Sequence, residues 1–286
     1  MSHTDPTQYA NPEALVTTDW LVDNLDDPDL RIIEVDEDID AYNRNHIPGA
    51  IAWNWSSDLH HPIQRDYLDQ AGFSKLLAEA GVDENITVIL YGGNNNWFAA
   101  YAYWLLKLRG FDSVKLLDGG RKKWNVEDRP TTDEVPTLTA TSFKITGPER
   151  PALRALRNQV LELAESNGTS FVDVRSPEEF SGAKLAPDHL PQEQPYVGGH
   201  IPGAANIPWS KAAEEDGSFK PAAELAALYQ EAGITGDHDV IAYCRIGERS
   251  SHTWFVLHEL LGYDGVANYD GSWTEYGSLV GAPVER

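Results

Sequence analysis

"VIAYCRIGERSSHTWFVLHELLGYDGVANYDGS", Val240 to Ser272, lies without a gap over "VILYGGNNNWFAAYAYWLLKLRGFDSVKLLDGG", Val88 to Gly120, at a constant offset of 152 residues. Self-similarity held over such a length marks a duplicated unit. A second pair, "HIPGA" at His46–Ala50 and at His200–Ala204, follows an apolar run in each half, "RIIEVD" and then "SFVDVR". Both halves therefore carry one order of elements. The second half has a longer stretch before its "HIPGA", in "SGAKLAPDHLPQEQPYVGG", whose prolines and glycines suit a loop.

Within each copy a short β-branched run, "TVILY" or "DVIAY", is followed by a tight loop and a helical pattern, then by a second short run, "VKLLD" or "VANYD". That alternation predicts an α/β fold with a mostly parallel sheet flanked by helices. In the second copy the helix is expected from about Ser250 to Leu261, with Ser250 or Ser251 as its cap. Trp254, Val256, Leu257, Leu260 and Leu261 then form its apolar side, and Gly262 its stop. Between the copies, Pro130 to Pro151 alternates Thr with apolar residues and lacks helical spacing, which reads as an extended linker. The expected division is a domain over 12–129, a linker over 130–151 and a domain over 152–284.

A length of 286 residues exceeds one compact core and agrees with two domains. A formal charge of −23 repels nucleic acid and anionic membranes, which argues against polyanionic partners. The opening "MSHTDPTQYANPE" has no basic start, apolar run or cleavage site, and no window is apolar enough to span a bilayer. The expected setting is the cytoplasm. The chain has one cysteine, Cys244, which cannot form an intrachain disulfide and stays a free thiol in a reducing compartment.

The duplicated scaffold puts Cys244 at the carboxyl end of a strand, in a loop that opens a helix, the edge where open α/β sheets bind ligands. Loop amides and the positive end of a helix dipole favour a thiolate over a thiol. Arg245 and Arg249 add charges that do not titrate near neutrality. A lone cysteine after a strand is often a small packing residue, but two arginines and a glycine are poor core neighbours and suitable ones for an anion loop. The nine histidines form no HExxH and no zinc-finger pairing with cysteine, so no metal site is expected. His46 and His200 recur with the "HIPGA" turn and read as structural. The basic cluster Arg121–Lys123 reads as a solvated face after a turn.

"CRIGER", "VANYDGSWTEY" and "YNRNHIPGA" together resemble the rhodanese family, specifically the two-domain thiosulfate sulfurtransferases, over nearly the whole chain. The resemblance implies two tandem rhodanese-like domains with catalysis in the second. It implies a double displacement in which Cys244 attacks the outer sulfur of thiosulfate and sulfite leaves. A cysteine persulfide then passes its sulfur to a thiophilic acceptor such as cyanide. A covalent relay of this kind divides one transfer into two easier steps. The implied partners are thus a small anionic sulfur donor and a thiophilic acceptor, with no metal or organic cofactor. Arg245, Gly247 and Arg249 carry over as substrate-binding residues of the loop.

Arg175 is a candidate substrate contact weighed against a role as an ion-pair partner near a helix start. Glu178 and Glu179 stand where some members place a further basic residue. The "CR" start favours thiosulfate over 3-mercaptopyruvate, whose enzymes tend to have glycine after the cysteine. A 3-mercaptopyruvate sulfurtransferase and a persulfide-relay module serving a protein partner are the alternatives. A cysteine phosphatase would need one more residue between cysteine and arginine than "RIGE" supplies. In the first half Gly92 stands where Cys244 stands in the second, so that copy cannot form a persulfide and is expected to complete the structure.

Overall fold

The computed structural model describes residues 6–165, 170–187 and 194–286, so the centre of the proline-rich loop before His200 lies outside the described residues. The chain divides into two compact units. One comprises Pro12–Pro151 with Glu214–Phe219, and the other residues 6–11, Ala152–Ala213 and Lys220–Arg286.

The first unit contains β1 (Leu15–Val16), α1 (Thr18–Asp23), β2 (Leu30–Asp36), α2 (Asp40–Arg44), β3 (Ile51–Asn54), α3 (Gln70–Glu79), β4 (Thr87–Tyr91), α4 (Trp97–Leu108), β5 (Val114–Leu117) and α5 (Gly120–Val126). Its strands are ordered β1-β5-β4-β2-β3 and every pairing is parallel. All of α4 except Lys107 is buried, the pattern of a helix enclosed by its own domain.

The second unit contains α6 (Arg157–Ala164), β6 (Ser170–Asp173), α7 (Pro177–Phe180), β7 (Ala205–Asn206), α8 (Ala222–Gln230), β8 (Val240–Tyr243), α9 (Glu248–Phe255), β9 (Val266–Tyr269) and α10 (Ser272–Tyr276). Its sheet runs β7-β6-β8-β9, again wholly parallel. Among the described residues no helix is long and apolar enough to cross a membrane.

Contacts repeat along with the elements. Ile47 donates its N–H to the Tyr91 hydroxyl at 3.2 Å, and Ile201 donates to the Tyr243 hydroxyl at 3.1 Å. His46 stacks on Tyr42 with ring centroids 3.8 Å apart, and His200 on Phe180 at 3.5 Å. In each case a tyrosine at the end of the central strand holds the "HIPGA" turn against the sheet. Ile32 pairs with Ile89 as Phe171 pairs with Ile241, which makes Glu34 and Asp36 the counterparts of Asp173 and Arg175.

Residues 131–150 carry no helix or strand. They are fastened to the first unit by Thr141 N–H to Ala78 O (2.9 Å), Ile145 N–H to Ser74 Oγ (3.0 Å) and Arg150 N–H to Leu108 O (2.8 Å).

Two sequence expectations are corrected. The helix after the cysteine starts at Glu248 rather than Ser250, and neither serine caps it. Both serine hydroxyls bond backward to Gly247 O, at 3.0 and 2.8 Å, as serines inside a helix do. The helix then loosens into a π turn over Val256–Leu260 before Gly262 ends it with φ +71°. The basic cluster is also not a solvated face. Arg121 pairs with buried Glu34, and Lys123 is buried and pairs with Asp216, so only Lys122 is exposed.

Candidate active site

Cys244 follows β8 directly and is fully buried. The loop is pinned to the start of α10 through three backbone groups. Cys244 N–H donates to Ser272 Oγ (3.0 Å), Cys244 O accepts from Trp273 N–H (3.1 Å), and Arg245 O accepts from Thr274 N–H (3.0 Å). Ser272 adopts φ +50°, uncommon for a residue with a side chain, and its hydroxyl donates to Tyr269 O at 2.6 Å. That hydroxyl is therefore aimed, with its lone pairs left for the Cys244 amide.

Gly247 closes the loop over the sulfur. Its N–H donates to Cys244 Sγ at 3.1 Å, a hydrogen bond of the kind that stabilises an anionic sulfur. The residue has φ +104°, and a Cβ there would lie 2.7 Å from Asp270 Cα, so both backbone and packing demand glycine. Its carbonyl is held away from the sulfur by Ser250 Oγ, Ser251 Oγ and Asn268 Nδ2, the last at 3.0 Å. Asn268 also accepts from Ser250 Oγ (2.6 Å) and donates to Ser251 Oγ (2.9 Å).

Arg249, expected to bind substrate, has a protein partner. Its two terminal nitrogens meet the two carboxylate oxygens of Glu179, each at 3.0 Å, in a buried bidentate pair. Burial alone would weaken the charged guanidinium, but Glu179 and then Cys244 outweigh it and hold Arg249 firmly protonated. Burial likewise pushes Glu179 up, yet Arg249 keeps it below the ordinary glutamate range. Glu179 is positioned by a capping box, with Ser176 N–H donating to its side chain (3.1 Å) and Ser176 Oγ accepting its backbone N–H (3.3 Å). The acidic residue that departs from the family pattern is thus the anchor of the loop's second arginine.

Arg175 is fully buried, forks onto Asp173 and donates to Gly199 O at 2.7 Å. Its guanidinium lies 4.8 Å from the Trp273 ring and 5.9 Å from the Tyr243 ring. Desolvation lowers its pKa less than Asp173 raises it. Arg245 is also fully buried, and desolvation, partly offset by Glu248, lowers its pKa.

Glu248 is the residue that sequence reading passed over. Its carboxyl is buried, and its Oε2 lies 3.7 Å from Cys244 Sγ. Burial raises its pKa, against the pull of Arg249 and Arg245. Ser272, Asn268 and Glu179 were missed as well. The offset of 152 could have drawn attention to Ser272, because it pairs Ser272 with Gly120 just as it pairs Cys244 with Gly92. His252 sits in the same helix, but burial pushes its pKa down to about 3, which leaves it neutral and unsuited to holding a proton. Among the described residues no acidic, cysteine or histidine cluster could hold a metal ion.

A cysteine at the mouth of a parallel strand, cradled by a six-residue loop on a twice-repeated α/β unit, defines a class. A family profile described as "Rhodanese-like domain" matches residues 17–127 and 156–279, and the chain belongs to that family. It is 59% identical over 276 residues to a Mycolicibacterium smegmatis protein named "Putative thiosulfate sulfurtransferase", covering 96% of this chain and 99% of that one. It is 50% identical over 283 residues to the "Sulfur carrier protein TtuD" of Thermus thermophilus, covering 97% and 98% of the two chains. Among solved structures, that of YnjE superposes with a TM-score of 0.84 at 26% identity, over 97% of this chain and 70% of that one. The fold is shared at 24% identity by the anaerobic ergothioneine biosynthesis enzyme of Chlorobium limicola, with a TM-score of 0.83 over 97% and 71% of the chains.

Proposed function

We propose that the protein is a sulfurtransferase in which Cys244 takes the outer sulfur of thiosulfate, releases sulfite, and passes the sulfur from a persulfide to a thiophilic acceptor. The observation that carries this reading is the Gly247 N–H aimed at Cys244 Sγ from 3.1 Å within a loop pinned on both sides. Pre-aimed donors of this kind stabilise charge without reorganisation during the reaction. Arg245 supplies positive surroundings for a dianionic donor, while the charge of Arg249 is matched by Glu179. Glu179 fixes Arg249 in place, and Asp173 fixes Arg175, whose part is to brace the strand end rather than to touch the donor. Names among the relatives support thiosulfate as the donor class. The relative named as a sulfur carrier supports a second reading of the acceptor, in which the persulfide is handed to another protein.

The test is direct. Thiosulfate should add the mass of one sulfur atom to the chain, cyanide should remove it, and Cys244→Ser should do neither. Turnover by Cys244→Ser would end the proposal. Comparing initial rates with thiosulfate and 3-mercaptopyruvate then fixes the donor.

A further inference from the structure

We propose that Glu248 is the proton partner of Cys244, taking the thiol proton as the donor is attacked and holding it until the sulfur has left for the acceptor. This rests on the sulfur-transfer reading above. Glu248 is the first residue of α9, directly after the loop, it is 2% exposed, and its Oε2 lies within hydrogen-bonding distance of the thiol at 3.7 Å. The groups that face the pair are Arg245 and Arg249 from the same loop and helix, and Glu179 from α7, which Arg249 neutralises. Two anions this close in a buried site cannot both persist, because like charges strongly raise one another's pKa. Cys244 and Glu248 therefore share one proton. Burial, which raises the Glu248 carboxyl despite both arginines, makes it a fitting acceptor.

The cycle balances on that basis. The resting pair is a thiol beside a carboxylate. As thiosulfate arrives, the proton passes from Sγ to the Glu248 carboxylate. The thiolate attacks the outer sulfur, the S–S bond of thiosulfate breaks, and sulfite departs as a dianion with the bonding electron pair. The persulfide anion then sits beside a neutral carboxylic acid. When cyanide attacks the terminal sulfur, thiocyanate leaves, the electrons of the S–S bond return to Sγ, and the thiolate recovers its proton from Glu248. The pair carries one negative charge throughout, so no uncompensated second anion forms in the buried loop.

The experiment is single-turnover persulfide formation from thiosulfate, followed by mass, from about pH 6 to about pH 9 for wild type and Glu248→Gln. Glutamine keeps the shape but cannot take the proton. Its loading should then follow the ionisation of Cys244 alone and fall steadily as pH is lowered, about tenfold per pH unit once the thiol is protonated, whereas wild type holds a level rate while the pair shares one proton. A folded Glu248→Gln with the wild-type profile overturns the inference. If that variant does not fold, Glu248→Asp serves instead. It should be slower but keep the wild-type pH profile, and a profile shifted to ordinary thiol ionisation overturns the inference. The two failures are distinguishable, since wild type that never loads from thiosulfate defeats the sulfur-transfer reading itself.

Discussion

The loops 92–97 and 244–249 occupy the same place in two copies of one fold, yet they solve the same backbone problem with different atoms. In the second unit the amide of Cys244 donates to Ser272 Oγ, which comes from the next strand–helix junction. In the first unit the counterpart of that serine is Gly120, and the amide of Gly92 donates to Asn96 Oδ1 from within its own loop, at 2.9 Å. The exchange is steric as well as polar, because a Cβ on Gly120 would lie 2.1 Å from Asn96 Oδ1. The backbone tie beside it is conserved between the copies: Arg121 N–H donates to Gly92 O at 3.0 Å, as Trp273 N–H donates to Cys244 O.

Charges have changed sides too. Asp36 stands where Arg175 stands and takes the N–H of Gly93 at 2.9 Å, so the first loop is occupied by the protein's own carboxylate. Glu34 draws its cation from Arg121, whereas Asp173 draws its cation from Arg175 and the place of Arg121 is filled by Trp273. Asn94, Asn95 and Asn96 all have positive φ, a left-handed run that asparagine tolerates better than most residues. One loop presents an amide to the Cys244 sulfur, while the other has closed on itself.

The largest effect on sulfur transfer should come from trying to move the thiol. In a Cys244→Ser background, Gly92→Cys should recover no transfer, because a Cβ at 92 would meet Val35 O at 2.3 Å. Overpacking of that kind typically costs about 1–3 kcal/mol, so the melt should fall as well. Persulfide at residue 92 would show the closed loop to be a competent cradle.

Next comes loop length. One glycine inserted between Gly247 and Glu248 lengthens the spacing to the phosphatase pattern and moves the amide off the sulfur. A misplacement of about 1 Å can cost on the order of a hundredfold in rate. Sulfurtransferase rates beside thermal melts decide the matter, and a wild-type rate in a stable insertion variant would remove loop length as the selector of chemistry.

A smaller loss is expected at Arg249. Arg249→Ala strands the Glu179 carboxylate in a buried site, and breaking such a pair costs about 3–5 kcal/mol of stability. Persulfide formation should slow, and alkylation by iodoacetamide near neutrality should slow with it. Arg249→Lys, which keeps the charge but loses the fork, should be milder on both counts. An alanine variant with wild-type melt and turnover would make the pair irrelevant to the loop.

Much of this was legible before the structure. The repeat, the parallel α/β units, the cysteine at a strand end and the glycine that turns the loop are all local patterns, since period, spacing and φ demand are written in neighbouring residues. What escaped depends on contacts distant in sequence. Ser250 and Ser251 carry capping chemistry, but whether a serine hydroxyl caps or bonds backward is decided by Asn268, which grips the same carbonyl from β9. Glu179 reads as a charge in the first turn of a helix until Arg249, 70 residues away, is placed on it. Arg121 and Lys123 read as solvated because the acids that bury them, Glu34 and Asp216, are 87 and 93 residues away.

The last test leaves sulfur transfer untouched and asks how far the copies have diverged in charge. Asp118 and Asp270 occupy equivalent places after β5 and β9. Asp270 is held by Arg154 in a bidentate pair at 2.9 Å, whereas Asp118 is buried and accepts the N–H of Phe219 at 2.9 Å. Burial pushes the Asp118 pKa up to about 7, against the opposing pull of the Phe219 N–H and of Lys123. An aspartate in the unfolded chain titrates near 3.9, so the folded state binds this proton more tightly. The sign follows: the contribution is fully stabilising below about pH 4 and is lost as pH rises through about 7. Asp118→Asn preserves the acceptor for Phe219 and removes the titration. Its melting temperature relative to wild type should therefore climb between about pH 5 and about pH 8. Asp270→Asn breaks an ion pair and should lower the melt instead. Parallel pH profiles for wild type and Asp118→Asn would mean that this carboxyl titrates normally and that the two junctions differ in sequence alone.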